Sequence, residues 1–303
     1  MKQIKKVNRK QSPNTFTSSF GFLLTSSIGL FLAIALLQPA SGYAQQQHLS
    51  QQQKTSTLKV MTYNILHGAP PGLAGTSHEI DLTKVAEVIK AQNPDIVAIQ
   101  EVDSLWSRSD NQDQTKVLSE LTGLHYYHYS DSRSFTDTAG WGYGIGILSK
   151  YPLKDTLTVF LDHNNHPGSE IWVNSVATVT LPTGKDIRFI SAHYDYLNED
   201  NRILEVKQTS LMADTSSIPV ILAGDLNTEP HERPIKILAQ SFNRSCADCQ
   251  LSWPSDKPRM KLDYIMSSKK SGLQLISSGL IQGEAAVFAS DHLPYVAIYS
   301  YSY

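Results

Sequence analysis

The sequence predicts a mixed α/β fold in which two packed β-sheets carry helices on their outer faces. Apolar runs of strand length outnumber the segments with helical periodicity, and the two kinds alternate along the chain. No linker-like stretch interrupts the chain after Leu58, so residues 58–303 are predicted to form one domain. Two sheets packed face to face, with helices outside them, would bury the apolar side of every predicted element.

The predicted strands are short apolar runs rich in β-branched residues. They cover residues 58–66, 96–100, 144–149, 172–181, 186–193, 219–223, 262–266 and 295–299. The run at 219–223 is apolar at consecutive positions, which predicts a strand that is buried on both faces.

The predicted helices repeat apolar residues at intervals of three and four positions. They cover residues 81–91, 116–121, 201–212 and 235–240. In the first of them the apolar positions are 82, 85, 86 and 89, Asp81 is a suitable N-cap, and Asn93-Pro94 ends the helix. Gly123 is expected to end the second helix.

The first 44 residues have the features of a secretory signal peptide. Five Lys and Arg residues lie within residues 2–10, an apolar stretch follows from Phe20 to Leu37, and Gly42 and Ala44 provide a small-x-small cleavage site. Cleavage after Ala44 would place the mature protein outside the cytoplasm, secreted or periplasmic. The alternative is an uncleaved signal anchor in the membrane, because about 18 apolar residues can just span a bilayer. Residues 45–57 are polar and low in complexity, which predicts a flexible leader.

Cleavage would leave a mature chain with an acidic balance. The full chain has 26 Lys and Arg against 28 Asp and Glu, and the signal segment carries five of the basic residues and none of the acidic ones, so the mature net charge is −7. An acidic body attracts the phosphates of nucleic acids poorly over long range. We therefore expect no stable complex with nucleic acid, and nothing in the sequence indicates an obligate protein partner.

The chain has two cysteines, Cys246 and Cys249, three positions apart. One pair is too few for a structural zinc site, which takes four ligands, and the sequence lacks the thioredoxin-like context of a redox motif. In a secreted chain the two residues would form a local disulfide. Two surface thiols without a catalytic role are the alternative.

Polar residues stand repeatedly at or near the ends of the apolar strands. They are Asn64, Glu101, His193, Asp225, Asn227, Asp263, Asp291 and His292. Taken singly, a strand-terminal Asn or Asp more often caps a turn than binds a ligand. The strands of packed sheets can end around one mouth, so the repetition of the pattern predicts that these residues share a site.

The residue types suit phosphate chemistry at a divalent metal ion. Glu101, Asp225 and Asp291 offer the hard oxygen ligands that Mg²⁺ prefers. A histidine such as His292 can donate to a phosphate or move a proton near neutral pH, and an acid such as Asp263 could fix the tautomer of one histidine. A cysteine nucleophile and a Gly-x-Ser-x-Gly elbow are both missing from the sequence.

The order of these segments resembles the endonuclease/exonuclease/phosphatase superfamily, the metal-dependent phosphoesterases that share the deoxyribonuclease I fold. The resemblance runs from about Leu58 to Tyr299. The motifs that carry it are Thr62-Tyr63-Asn64-Ile65, Gln100-Glu101-Val102-Asp103, Gly146-Ile147-Leu148-Ser149, Ser191-Ala192-His193, Gly224-Asp225-Leu226-Asn227, Leu262-Asp263-Tyr264-Ile265 and Ser290-Asp291-His292-Leu293-Pro294. It implies a four-layered α/β sandwich with two central, mostly antiparallel sheets flanked by helices.

The resemblance also implies how a metal ion would be held. Glu101 matches the principal metal ligand, and Asn64 and Asp291 match residues that support the ion or its water. The implied cofactor is Mg²⁺, with Mn²⁺ as the substitute.

The remaining residues match those that handle water and phosphate in the superfamily. Asp225 and Asn227 correspond to the pair that holds the attacking water and a phosphate oxygen. His292 corresponds to the histidine beside the scissile phosphate, Asp263 to its carboxylate partner, and His193 to the second histidine of the site. Whether His292 acts as a base or as an electrostatic stabiliser stays open at this point.

Three residues near the predicted site have two interpretations each. Arg108 lies seven residues after Glu101 on a predicted loop, where it would contact a substrate phosphate bidentately or remain solvated. Trp141 and Tyr143 would stack on a base or ring of the substrate, or anchor the loop that carries them.

Together these features predict a secreted, divalent-metal-dependent hydrolase of phosphate esters in which water attacks in line. The substrate is expected to be a phosphomonoester or phosphodiester of modest size, whose identity the sequence does not specify. An extracellular nuclease that degrades DNA or RNA is the first alternative. A catalytically silent binding module on the same fold is the second, because a fold does not determine a function.

Overall fold

The computed structural model describes residues 54–71, 80–132, 140–246 and 248–303. The predicted signal peptide and residues 45–53 of the predicted leader lie outside the described residues. Among the helices that are described, none combines the length and the hydropathy needed to cross a bilayer.

The described residues form twelve strands, five α-helices and two short 3-10 helices, Leu66–Gly68 and Ser107–Ser109. The strands are β1 (Thr55–Asn64), β2 (Ile96–Ser104), β3 (Tyr126–Asp131), β4 (Gly142–Ser149), β5 (Leu153–Phe160), β6 (Val173–Thr180), β7 (Asp186–His193), β8 (Val220–Asp225), β9 (Phe242–Arg244), β10 (Asp263–Ser268), β11 (Gln274–Leu280) and β12 (Tyr295–Ser302). The helices are α1 (Leu82–Gln92), α2 (Gln114–Thr122), α3 (Glu199–Thr215), α4 (Arg233–Ser241) and α5 (Glu284–Ala289).

Capping residues fix the ends of the first two helices. Asp81 accepts hydrogen bonds from the backbone N–H groups of Thr83 and Lys84, which confirms it as the N-cap of α1. Gly123 ends α2 in the left-handed conformation that glycine adopts without strain, as the sequence predicts.

The strands form two six-stranded sheets. Their order is β11-β12-β1-β2-β4-β3 in the first sheet and β5-β6-β7-β8-β10-β9 in the second. Neighbouring strands run antiparallel except for the central pairs β1–β2 and β7–β8, which are parallel. Helix α1 connects the first parallel pair and α3 the second, so each sheet has a β-α-β unit at its centre.

The apolar core has three parts, which separate four layers of structure. Ile96 of the first sheet and Phe189 of the second belong to the part between the sheets. Ile89 of α1 belongs to the part on the outer face of the first sheet. Val206 of α3 and Leu238 of α4 pack on the outer face of the second sheet. The predicted four-layered sandwich, with two mostly antiparallel sheets flanked by helices, is confirmed.

The strands that the sequence analysis missed are β3, β5, β9 and β11, which form the four edges of the two sheets. Strands β5 and β11 are largely exposed to solvent along their length. An edge strand with an exposed surface does not need the apolar run by which an interior strand is recognised. Helix α5, which was also missed, has six residues and is too short to show a helical period.

Strand β1 begins at Thr55 rather than at Leu58, which corrects the predicted boundary of the leader. Thr55 is paired with Ser302 of β12, and the ladder continues without interruption to Thr62 and Tyr295. Backbone hydrogen bonds order these polar residues, and such bonds do not depend on apolar side chains.

Cys246 and Cys249 form a disulfide, as the sequence analysis favoured. Cys246 packs against the core between the sheets, and Cys249 packs against the core on the outer face of the second sheet. The bridge therefore ties the loop after β9 to both cores.

Candidate active site

The site lies where the central strands of both sheets end. Strand β1 ends at Asn64 in the first sheet, and the parallel strands β7 and β8 end at His193 and Asp225 in the second. Strand β10 runs antiparallel to β8 and therefore begins at the same end, with Asp263 paired to Asp225. Strand β12 begins shortly after His292 and runs antiparallel to β1. Opposite strand directions thus bring residues from distant parts of the sequence to one mouth.

Glu101 reaches the site through a β-bulge. The ladder between β2 and β4 shifts register between Gln100 and Val102, and Glu101 has a φ of +57°, in the left-handed region. This conformation is unfavourable for a residue with a Cβ and occurs at functional sites where the surrounding structure holds it. A bulge changes the direction of a side chain. Here the Glu101 carboxylate accepts a hydrogen bond from Asn64 Nδ2 at 2.8 Å.

Asn64 connects the two sheets. Its Nδ2 also donates to Asp225 Oδ2 at 3.1 Å, and its Oδ1 accepts from the backbone N–H of Leu66 at 3.1 Å. Ser290 Oγ donates to the backbone carbonyl of Asn64 at 2.7 Å. Asn64 therefore orients the carboxylates of Glu101 and Asp225, and its role in supporting a metal ion stays a prediction.

Asp263 and His292 form a buried acid–histidine pair. Asp263 Oδ2 lies 3.0 Å from His292 Nδ1, and both side chains are buried. Burial alone would lower the pKa of His292, but the carboxylates of Asp263 and Asp225 raise that pKa to about 10. Burial alone would raise the pKa of Asp263, but the charge of His292 holds it below its usual value. At neutral pH the pair is therefore a carboxylate and an imidazolium.

Asp225 lies between the two histidines of the site. Its Oδ2 is 3.5 Å from His292 Nε2 and 3.7 Å from His193 Nε2. Burial is the largest influence on Asp225 and raises its pKa against the opposing charge of His292. Burial also lowers the pKa of His193, so this histidine is uncharged at neutral pH.

Asn227 follows β8 and lies in the wall of the cavity beside Asp225. Its backbone N–H donates to Asp225 Oδ1 at 2.9 Å, and its Nδ2 donates to the backbone carbonyl of Tyr194 at 2.9 Å. Its φ of +45° is left-handed, a conformation that Asn tolerates better than most residues. These two contacts hold both the Asp225 carboxylate and the Asn227 side chain in place.

The site opens into a cavity of about 540 Å³, a volume typical of small-molecule sites. Several of the side chains in its walls were absent from the predicted site, among them Glu170, Trp172, Tyr196 and Trp253. Trp172 packs against His193 with ring centroids 4.1 Å apart, and Trp253 Nε1 donates to Asp291 Oδ2 at 3.0 Å. The sequence signal for the three aromatic residues was weak, because an aromatic residue beside a strand is usually part of a core.

The guanidinium of Arg108 is held by a carboxylate of the protein. Its Nε donates to Asp103 Oδ2 at 2.8 Å and its Nη2 to Asp103 Oδ1 at 2.7 Å. The guanidinium also lies over the ring of Trp106, 3.6 Å from the centroid. Arg108 lines the cavity, and a contact between Arg108 and a substrate phosphate stays a prediction.

Trp141 and Tyr143 occupy different positions. Trp141 stacks on Trp106 with ring centroids 3.9 Å apart, which favours the interpretation as a loop anchor. Tyr143 lines the cavity and makes a side-chain hydrogen bond with Glu101. Tyr143 thus supports the carboxylate that the sequence predicts as the principal metal ligand.

Comparison with known proteins gives the family. The family model described as Endonuclease/Exonuclease/phosphatase family matches residues 61–292. The chain belongs to this family. A search of curated proteins found no match.

Several solved structures share the fold of this chain at low sequence identity. The endonuclease/exonuclease/phosphatase from Beutenbergia cavernae DSM 12333 is 21% identical, with a TM-score of 0.64 over 80% of this chain and 71% of that one. The mannosyl-6-phosphatase from Bacteroides thetaiotaomicron VPI-5482 is 16% identical, with a TM-score of 0.61 over 79% and 98% of the two chains. The human Nocturnin catalytic domain with bound sulfate is 19% identical, with a TM-score of 0.60 over 83% and 98%.

Members of the endonuclease/exonuclease/phosphatase family are hydrolases of phosphate esters and generally depend on divalent metal ions. Among the described residues, two groups of side chains could hold such an ion. In the first group, ligand atoms of Asp225, Asp263 and His292 lie within 4.8 Å of one another. In the second, the carboxylates of Glu101 and Asp291 both line the cavity.

The carboxylates of Glu101 and Asp291 fit a metal ion better. Burial and then the charge of Asp291 raise the pKa of Glu101, so the two negative charges are close enough to destabilise each other. Asp291 Oδ1 is buried and has no hydrogen-bond partner among the described residues. A bound cation would be a partner for this oxygen. In the other group the positive charge of His292 already offsets one of the two negative charges of Asp225 and Asp263.

Proposed function

We propose that this chain is a secreted, Mg²⁺-dependent phosphoesterase that hydrolyses a phosphate ester of modest size by direct attack of water. The arrangement around Asp225 carries the proposal. Asp225 Oδ2 lies 3.1 Å from Asn64 Nδ2 and 3.5 Å from His292 Nε2. One carboxylate thus stands between the residues suited to a metal ion and the imidazolium suited to a phosphate.

We assign the attacking water to Asp225 and Asn227. Burial raises the pKa of Asp225, which makes it a better proton acceptor near neutral pH than an ordinary Asp. The backbone N–H of Asn227 fixes Asp225 Oδ1. The water oxygen forms a bond to phosphorus as the bond from phosphorus to the leaving oxygen breaks, and the proton of the water passes to Asp225. The leaving oxygen takes a proton from solvent.

His292 is assigned as an electrostatic stabiliser. The carboxylates around it hold its pKa near 10, so it is already protonated at neutral pH and cannot accept the proton of the water. Its Nε2–H would donate to a phosphoryl oxygen, while Asp263 holds the ring through Nδ1. Nε2 of the uncharged His193 lies 3.7 Å from the same oxygen, Asp225 Oδ2, and His193 would contact the same phosphoryl group.

Glu101 and Asp291 would hold the divalent ion, with Asn64 orienting the Glu101 carboxylate. When bound, the ion supplies polarisation of the phosphoryl group and stabilises the negative charge on the leaving oxygen. Oxygen ligands favour Mg²⁺, or Mn²⁺, over metals that prefer thiolates or several imidazoles.

The two alternatives carry less support. The mature net charge of −7 and the lack of Lys/Arg runs disfavour a nuclease that tracks a polyanion. The structural neighbour described as a mannosyl-6-phosphatase is an example of this fold with a small phosphate ester as substrate. A catalytically silent module is disfavoured because Glu101, Asp225 and His292 all lie in the wall of one cavity.

Turnover of a substrate panel tests the proposal. The mature chain would be incubated with Mg²⁺ and p-nitrophenyl phosphate, bis-p-nitrophenyl phosphate, sugar phosphates, nucleotides, phospholipid, DNA or RNA. We expect Mg²⁺-dependent hydrolysis of at least one small ester, with DNA and RNA cleaved less efficiently. Preferential cleavage of DNA or RNA would support the nuclease instead. No turnover of any compound with Mg²⁺ or Mn²⁺ would support the binding module.

Export is a separate prediction. If the basic and apolar N-terminus is a cleaved signal, the mature protein should begin at Gln45 and fractionate outside the cytoplasm. N-terminal sequencing of the protein from each cell fraction measures this. A membrane-bound product that retains Met1 would support the signal anchor. Activity should survive deletion of residues 1–53, because no site residue lies among them.

A further inference from the structure

The cavity has an unusual balance of charge for a site that binds phosphate. Its described lining contains four carboxylic acids, Glu101, Glu170, Asp225 and Asp291, but only one Lys or Arg, Arg108. One edge of the guanidinium is engaged by the Asp103 carboxylate, and one face packs on the ring of Trp106. The lining can thus satisfy the scissile phosphate, while a second phosphate on the substrate would face mainly negative charge.

Of the four acids, Glu170 is the one that neither the proposed water attack nor the proposed metal site uses. It lies in the loop between β5 and β6, two residues before Trp172, whose ring packs on His193. No ion pair among the described ranges includes Glu170. Glu170 therefore lines the substrate cavity but has no role yet in the proposed reaction.

Other contacts fix the loop that carries Glu170. Ser132 Oγ donates to the backbone carbonyl of Ile171, and the backbone N–H of Asn164 donates to Asn201 Oδ1 on α3 at 2.6 Å. The loop also approaches the segment after β7, because a Cβ placed on Gly168 would lie 3.4 Å from Leu197. The backbone on both sides of Glu170 is thus held against neighbouring elements, and its carboxyl group lines the cavity.

The carboxylates around Glu170 locate it further. Burial and then the charges of Glu101 and Asp195 raise the pKa of Glu170 to about 7. Asp195 lies two residues beyond His193 and adjoins Tyr196, which lines the cavity and has 56% of its surface exposed. Glu170 thus shares the cavity wall with Glu101 and with the exposed Tyr196, so a leaving group that extends from the phosphate toward Tyr196 would pass beside its carboxyl group.

We propose that Glu170 is a specificity-determining residue that selects phosphate esters with an uncharged, hydroxyl-bearing leaving group, such as a sugar. This rests on the proposed function. A carboxyl group accepts hydrogen bonds from hydroxyl groups and disfavours a second phosphate at the same distance. The aromatic walls of Tyr196 and Trp253 suit the apolar face of a ring. The selected substrates thus carry a single phosphate group, which binds beside His193 and His292.

A matched pair of sugars tests this inference. Glucose 6-phosphate and glucose 1,6-bisphosphate share a ring and differ by one phosphate group. With Mg²⁺, the wild-type chain is expected to show a kcat/KM for the monophosphate at least about tenfold above that for the bisphosphate, which corresponds to one well-placed polar contact. In Glu170→Gln this ratio should fall about tenfold, and in Glu170→Lys it should fall further because the bisphosphate gains an attractive charge.

Control variants and generic substrates separate the possible failures. Glu120→Gln, at an exposed position of α2, should leave both the ratio and the activity unchanged, and circular dichroism would verify that each Glu170 variant is folded. Wild-type hydrolysis of p-nitrophenyl phosphate or its bis-ester, without the expected sugar preference, would overturn this inference while the proposed function stands. No hydrolysis of any probe would overturn both. An unchanged ratio in Glu170→Gln, with a higher Mg²⁺ requirement, would make Glu170 a metal ligand and overturn the inference.

Discussion

Replacing His292 with alanine is expected to lower kcat by about 10²–10⁴-fold, the usual effect of removing a group that acts in the transition state. His292 Nε2 lies 3.5 Å from Asp225 Oδ2, so its positive charge stands where the phosphoryl group would meet the attacking water. The measurement is steady-state kinetics with saturating Mg²⁺, on the most rapidly hydrolysed ester of the panel. His125→Ala, at an exposed position before β3, is the matched control and should retain full activity.

Asp263→Asn tests whether the two residues act as one unit. The Asp263 carboxylate lies 3.0 Å from His292 Nδ1 and raises the pKa of His292, so its loss should also cut turnover sharply. The double variant should be little worse than His292→Ala, because residues that act together are not additive. Effects that simply multiply would show that the residues act independently. A fully active His292→Ala enzyme would remove this motif from the chemistry.

The same pair predicts the direction of a change with pH. His292 has a raised pKa, so the active imidazolium persists below that pKa and is lost as the pH rises through it. Asp263→Asn removes the main charge that raises this pKa, and the alkaline limb of its pH–rate profile should therefore move to lower pH. An unchanged alkaline limb would mean that a different group sets it.

The interior of the fold could be predicted from the sequence because interior strands have to be apolar. Strand β7 was predicted with its observed bounds, Asp186–His193, because it lies inside the second sheet and packs against an apolar core on each face, which selects apolar residues. The edge strands carry no such requirement, and β5 and β11 are largely exposed. Their pairing depends on backbone hydrogen bonds to β6 and β12, which leave little trace in composition.

The sequence predicted side chains that the fold brings to one mouth, but it did not predict how they are arranged there. Asn64, His193 and Asp225 stand at strand ends that a local pattern reveals. The bulge that turns Glu101 toward Asn64 depends on the register between β2 and β4. The local sequence does not predict that Glu101, which is not a glycine, has a φ of +57°. Glu170 was missed for a related reason, because its place beside the cavity follows from loop contacts with α3 and with the segment after β7.

Removing the metal ion is expected to abolish activity, and replacing Glu101 with glutamine should reproduce most of that loss. Burial and then the negative charge of Asp291 raise the pKa of Glu101, and the mutual repulsion of these two cavity carboxylates favours a divalent cation between them. Chelation should abolish hydrolysis by the wild type, and Mg²⁺ or Mn²⁺ should restore it. In Glu101→Gln we expect a higher Mg²⁺ concentration for half-maximal rate and a kcat lower by about 10²–10³-fold. Activity as a function of Mg²⁺ concentration, for both chains, measures this.

Thermal unfolding provides a second measurement that does not depend on the substrate. An ion that binds only the folded state stabilises it by about 2.7 kcal/mol at 100 times its Kd, so Mg²⁺ should raise the Tm of the wild type. Glu101→Gln should lose most of this rise, yet in chelator its Tm should be no lower than that of the wild type, because the substitution removes one of two repelling charges. Glu120→Gln should behave as the wild type in both conditions.

Full activity after thorough chelation would refute the metal mechanism. An equal Mg²⁺ stabilisation of Glu101→Gln would instead place the ion at another group, for which Asp225, Asp263 and His292 are the other candidate ligands.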